Sequence, residues 1–245
     1  MRAPESLLGR LCGCRSSPPA TSERNWPKAP LTLLLVLLAF GGALGDPARV
    51  LAAPPSIFST NLIANGDAEA GAGASDESVV SVPGWTVSGN FTAVQYGAAS
   101  GFPSLTDPGP SNRGANFFAG GPNNASSSAS QLISVASAAR QIDSGAVTFA
   151  LAGFLGGFQD QGDNAVLSVT FKNGDLVLGT AQIGPVTAAD RGNATGLLAR
   201  STSDAVPVGT RQLLVTLQMT RAPIFSYNDG YADNLSLTLK RGAGH

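Results

Sequence analysis

Beyond Pro55, apolar and polar residues alternate in short runs, divided by clusters of Gly, Pro, Asn, Asp and Ser. This is the two-residue period of half-buried strands, and no helical periodicity of any length interrupts it. The clearest strand is Arg211 to Thr220, where Leu213, Val215, Leu217 and Met219 share one face and Gln212, Thr216, Gln218 and Thr220 the other, with only Leu214 out of phase. Ala165 to Lys172 sets Leu167, Val169 and Phe171 opposite Val166, Ser168 and Thr170, and Asp233 to Lys240 sets Leu235, Leu237 and Leu239 opposite Asn234, Ser236 and Thr238. Each reads as a strand with one core face and one wetter face. Further strands are expected at Asn61–Ile63, Trp85–Val87, Thr92–Tyr96, Asn116–Ala119, Gln131–Val135, Val147–Phe154, Leu176–Ile183 and Gly196–Ser203. About eleven short strands of this kind predict an all-β, two-sheet antiparallel sandwich. The stretches 97–114 and 120–128 read as loops, and Asn173-Gly174-Asp175 as a hairpin turn.

The first fifty-three residues follow a different pattern. Residues 1–30 carry five basic and two acidic side chains, and an uncharged apolar run then extends from Leu31 to Gly45. A basic region, an apolar core of this length and small residues after it predict a secretory signal peptide over 1–53, ahead of a single β-sandwich domain over 54–245. The alternative is an uncleaved signal anchor, which would be the only membrane attachment; the run is shorter than the roughly 20 apolar residues of a span. The expected location is therefore secreted, extracellular or in the cell envelope.

Composition narrows the chemistry. The chain of 245 residues has one histidine, His245, and two cysteines, Cys12 and Cys14, both ahead of the apolar run. Histidine- and cysteine-dependent catalysis and His- or Cys-ligated zinc are therefore not expected in the folded part. After Ala53 there are nine basic and thirteen acidic residues, a net of −4 that argues against nucleic acid as a partner. A carboxylate-based glycosidase would need two carboxyls flanking one bond, and the mature chain offers only Glu69 and Glu77 among glutamates, beside eleven aspartates. Asp160 and Asp163 fall on one loop, which does not set an acid opposite a base, so no catalysis is expected.

Two segments hold candidate binding residues. In Tyr227-Asn-Asp-Gly-Tyr-Ala-Asp-Asn-Leu-Ser-Leu-Thr-Leu239, uninterrupted strand parity would place Tyr231 and Asp233 on the face of Leu235, Leu237 and Leu239. An inward carboxylate there needs a cationic partner: an arginine, or calcium, which takes oxygen ligands. The second segment, Gly153 to Asn164, runs from an apolar strand into a loop with Phe158, Gln159, Asp160, Gln161, Asp163 and Asn164. Amides and carboxylates beside a ring suit a sugar, bonding its hydroxyls while the ring covers its apolar face. Tyr96 and Tyr227 are further rings for such a site, and the loop with Phe102-Pro103 is a candidate wall of a cleft. Trp85, early in a strand, reads as a corner plug between sheets.

Asn61-Leu-Ile-Ala-Asn-Gly-Asp-Ala-Glu-Ala-Gly71, then Pro83-Gly-Trp85, then Tyr231-Ala-Asp-Asn-Leu-Ser-Leu237, resembles the galactose-binding-like jelly-roll domains, in particular their carbohydrate-binding modules. The resemblance spans Asn61 to Leu239 and implies a jelly roll with a structural calcium held by Glu69 and Asp233, helped by oxygens near Asn65 and Asp67. Two positions depart from the family pattern: Ala68 stands where an aromatic is usual before the Glu, and Asn234 where many members have a second Asp. The expectation is a secreted module that binds carbohydrate or a cell-surface polymer, with calcium and without catalysis. The rivals are a structural or adhesive surface protein that uses the same fold for protein contacts and, behind it, a carboxylate-based glycoside-acting enzyme.

Overall fold

The computed structural model describes residues 56–223 and 225–242; the expected signal segment lies outside them. Ten strands form: β1 (Thr86–Ser88), β2 (Thr92–Gln95), β3 (Asn116–Pro122), β4 (Ser126–Ser134), β5 (Val147–Gly157), β6 (Asn164–Asn173), β7 (Leu176–Ile183), β8 (Gly196–Ala205), β9 (Gln212–Thr220) and β10 (Tyr227–Arg241). They make two five-stranded sheets, β1-β4-β9-β6-β7 and β2-β3-β10-β5-β8, with every paired neighbour antiparallel. This is the expected two-sheet jelly-roll sandwich.

Strand alternation builds the interior. Leu213, Val215, Leu217 and Met219 of β9 and Ala165, Leu167, Val169 and Phe171 of β6 face Phe149, Leu151 and Leu155 of β5 and Ala232, Leu235, Leu237 and Leu239 of β10 in one buried cluster. Each fully buried Leu, Val or Phe contributes about 1.5–3 kcal/mol relative to exposure. Trp85 joins the cluster as a plug. It meets Phe118 edge-on at 5.8 Å, and its indole N–H donates to the Asn65 carbonyl.

The structure departs from the sequence reading in four places. Residues 120–128 are mostly strand: β3 runs to Pro122 and β4 begins at Ser126, so only three residues carry the chain from one sheet to the other. A 3-10 turn (Ala136–Ala138) and a five-residue helix, α1 (Ala139–Asp143), link β4 to β5, too short to produce a periodic signal. Asn61–Ile63 is not a sheet strand. Instead the segment lies along β10 beyond the end of its pairing with β3, through Ser59 N–H to Leu239 O and Leu62 N–H to Leu237 O. The Asn61 side chain clamps it there, donating to Leu235 O and accepting from Leu237 N–H. Gly66 of the Asn-Gly motif lies so close to β10 that a Cβ would sit 2.3 Å from Leu235 O. The last departure concerns β10, whose register slips between Asn228 and Tyr231 and again between Asp233 and Ser236. Asn234 takes positive φ (49°) in the second bulge. A bulge inserts one residue and reverses the alternation beyond it. Ala232 therefore faces the interior with Leu235, Leu237 and Leu239, while Tyr231 belongs to a second cluster on the outer side of the sheet.

Candidate functional site

The second cluster contains Val94, Phe102, Phe117, Ala119, Leu197, Tyr227 and Tyr231, with Tyr96, Ala98, Phe154 and Phe158 packed on it. It lies under the 97–114 loop. Phe102 descends from that loop onto Tyr227, ring centroids 5.1 Å apart at 73°, and Phe117 meets Tyr231 at 5.2 Å and 78°. These are the edge-on arrangements that aromatic quadrupoles favour. The loop is braced from within, because Arg113 donates to the carbonyls of Ser104, Asp107 and Pro110. At Gly101 the backbone adopts φ +85° and passes so close to Phe158 that a Cβ would sit 3.0 Å from the ring.

Where the loop meets the end of β5 there is a cleft of about 150 Å³ lined by Glu77, Ser100, Phe102, Phe158, Gln161, Tyr227 and Asp229. Three aromatic rings, an amide and two carboxylates share this small space. Among the described residues, two buried polar atoms of its lining, the Tyr227 hydroxyl and Gln161 Oε1, have no hydrogen-bond partner. Buried polar groups are nearly always paired, so these two mark a place suited to an external polar partner. Asp229 accepts from the Tyr231 hydroxyl through Oδ1. Burial pushes the Asp229 carboxyl up to about 6, with the neighbouring charges of Asp163 and Glu77 adding to the shift and the Tyr231 bond opposing it. The Tyr227 phenol is likewise raised, chiefly by burial and then by Asp229 and Glu77.

Of the residues singled out from the sequence for a sugar, Phe158, Gln161 and Tyr227 come together in this cleft. Gln159 and Asp160 are exposed on the neighbouring turn. Asp163 is buried and accepts from the backbone N–H groups of Ala222 and Asp229, at 2.7 Å each, so its carboxylate ties β6 to the start of β10. Asn164 begins β6 and donates to Gly162 O. Tyr96 lies elsewhere under the loop, its hydroxyl donating to Asp233 Oδ2 at 2.7 Å. The cleft residues absent from the sequence reading of the sugar site are Glu77, Ser100 and Asp229. Only Asp229, in the segment 227–239, carried a visible signal.

Of the residues expected around calcium, Glu69 and Asp67 lie near enough to Asp233 for their charges to act on it. Asp233 is fully buried; Oδ2 accepts from Tyr96 and Oδ1 from Asn234 N–H. Burial pushes its carboxyl up to about 7, and the charges of Glu69 and Asp67 add to this. Glu69 accepts from Asn116 N–H at 2.8 Å. Asn65 accepts from Ala70 N–H and donates to Pro83 O, and Asp67 Oδ1 accepts from Glu69 N–H. No Arg or Lys pairs with Asp233, Glu69 or Asp67 among the described residues, where the ion pairs are Arg200–Asp190 and Arg211–Asp143. Nor is there, among those residues, a group of three His, Cys, Asp or Glu side chains set to hold a metal. The donors present are carboxylate, amide and carbonyl oxygens around an uncompensated negative charge, which is the chemistry a hard cation such as calcium accepts.

No protein-family model matches this sequence, and no curated protein matches it. Among solved structures, the fold is similar to a family 16 carbohydrate-binding module at 18% identity and TM-score 0.45, covering 73% of this chain and 99% of that one. It is also similar to TmCBM61, solved in complex with β-1,4-galactotriose, at 13% identity and TM-score 0.41, covering 75% and 99%. A third similar structure is the enzymatically active domain of bacteriophage CBA120 tailspike protein 4, at 15% identity and TM-score 0.45; the match covers 73% of this chain and 21% of that one.

Proposed function

We propose that this protein is a secreted carbohydrate-binding module whose ligand enters the cleft between Phe102, Phe158 and Tyr227. The observation that carries the reading is the pair of unpartnered buried polar atoms, Tyr227 Oη and Gln161 Oε1, beside three aromatic rings in a space of about 150 Å³. A sugar ring has hydroxyls for the first and an apolar face for the second. The exposed amide and carboxylate of Gln159 and Asp160 extend the polar rim. The test is a glycan and polysaccharide screen on residues 54–245, with Phe158→Ala and Gln161→Ala as variants. Expected are a specific hit and a loss of about tenfold in affinity for each variant; a clean negative across the screen overturns the reading.

Calcium is part of the same proposal, held by Glu69 and Asp233 with oxygens near Asn65 and Asp67. There it would neutralise the buried carboxylate and pin the 58–74 segment to β10. Chelator should lower the melting temperature of the wild type by about 5 °C or more and leave Asp233→Ala unaffected. An unchanged wild-type melt removes calcium from the reading.

One observation favours a second reading. Glu77 and Asp229 line the same cleft, and Asp229 has the raised carboxyl of a general acid. If the protein cleaves a glycoside, reducing ends appear on incubation with the sugar it binds and disappear in Glu77→Gln; binding without release excludes it.

A further inference from the structure

The cleft holds two carboxyl groups whose charge a neutral sugar does not use. Its lining carries these two, Glu77 and Asp229, beside the unpartnered acceptor Gln161 Oε1. The Gln161 amide NH2 donates, and the hydroxyls of Ser100 and Tyr227 can donate as well as accept. Tyr227 is 8% exposed, and its hydroxyl sits within the field of Asp229, Glu77 and Asp76 without a partner among the described residues. Asp229 Oδ1 is taken by Tyr231, while Oδ2 has no donor among the described residues.

Among the described residues no cation pairs with these carboxyls. Arg191, the buried guanidinium at this end of the sandwich, donates to the carbonyls of Gln159, Gln161 and Ala194. Arg221, on the far side of Asp163, donates to Ser226 O. The charges that act on Asp229 are those of Asp163 and Glu77, both acidic, while Tyr231 acts through its hydrogen bond. The remaining walls are the rings of Phe102, Phe158 and Tyr227, whose faces attract a cation. An acidic, aromatic-walled space is complementary to a primary ammonium, which has three donors, one positive charge and no acceptor.

We infer that the cleft selects an amine-bearing sugar, taking the protonated amino group of a hexosamine between Asp229, Glu77 and the Tyr227 ring. The inference rests on the carbohydrate reading and names its ligand class. The volume of about 150 Å³ admits one sugar ring, so the selection acts at a single residue of a longer chain.

The experiment is calorimetry at pH 6 with three β-1,4-linked tetrasaccharides of matched length: fully deacetylated chitotetraose, its N-acetylated form, and cellotetraose. The deacetylated sugar should bind about tenfold more tightly than the other two. That margin should shrink in 0.5 M NaCl and vanish in Glu77→Gln, an exposed position where the substitution does not disturb packing. Asp229→Asn should act the same way, with Glu77→Gln as the deciding variant if the buried change impairs folding. Equal affinity for charged and neutral sugars overturns the inference and leaves the carbohydrate reading intact. Failure of all three to bind, together with a negative glycan screen, overturns both. A margin that persists unchanged in Glu77→Gln and Asp229→Asn also overturns the assignment of the amine to this cleft.

Discussion

The two sheets of the sandwich share an interior but turn unlike faces outward. On the β1-β4-β9-β6-β7 sheet the outer positions align in rows across the strands, one of them running Thr86, Ser130, Thr216, Ser168 and Gln182. These side chains bond to water without help, and Leu132 is a large apolar side chain among them, 59% exposed. On the β2-β3-β10-β5-β8 sheet the outer positions of the central strands are Phe117, Ala119, Tyr227 and Tyr231, and a braced loop covers them. An outer face made of hydroxyls needs nothing on top of it, whereas one made of aromatic rings gains stability from a cover. The margin of that cover is where the cleft forms.

Breaking the covered face should cost far more than breaking the bare one. Phe117→Ala removes a fully buried ring and should lower stability by about 3–5 kcal/mol, while Thr216→Ala on the other sheet should change it by less than about 0.5 kcal/mol. Urea unfolding of the two variants measures the contrast, and similar losses would show that the outer aromatic cluster is not a second core.

A smaller effect sharpens the comparison through protons. The Asp229 carboxyl lies at about 6 in the folded protein, above its ordinary 3.8. The folded state therefore holds a proton that the unfolded chain has already released, and stability present at pH 4 is lost as pH rises through 6. The two-unit difference corresponds to about 2–3 kcal/mol between pH 4 and pH 8. Asp229→Asn should remove that part of the slope in denaturation measured across this range; a slope identical to wild type would mean that Asp229 ionises normally. A smaller effect than that of Asp229 is expected from Phe102→Ala on ligand binding. It should weaken ligand binding about tenfold by opening the cleft, and β1-β4-β9-β6-β7 should be unaffected as read by hydrogen exchange.

The strands with strict alternation were legible almost to the residue. Ala165–Lys172 is β6 less one residue at each end, and Arg211–Thr220 is β9 with one residue added. Burial on one face alone specifies the period of such strands. β10 was legible as a strand but not in its facing. Parity predicts a common face for Tyr231, Asp233 and Leu235, and the bulge at Asn234 separates them. Nothing in the local pattern marks a bulge, because the extra residue is accommodated by the partner strand and by the 58–66 segment docked alongside. Phe117 and Phe118 make the same point. Both are fully buried neighbours, yet one packs outward with Tyr231 and the other inward with Trp85.

Of the binding residues, Phe158 and Tyr227 were legible as rings near polar loops. Glu77 and Ser100 were not, since each comes from a different loop and reaches the cleft only through the folded path of the chain. The sequence by itself determined the all-β class, the strand count to within one, and the interior faces of β6 and β9. These follow from local periodicity and composition, which need no partner segment to be read. Tertiary structure alone decided which aromatic rings lie outside the sandwich and which carboxylates share a cleft. It also decided that Asp163 is tied up by backbone amides while Asp229 is left facing the cleft. Those outcomes depend on bulges, on a loop folding back over a sheet and on the loss of water around particular groups, and each of these exists only once distant parts of the chain have met.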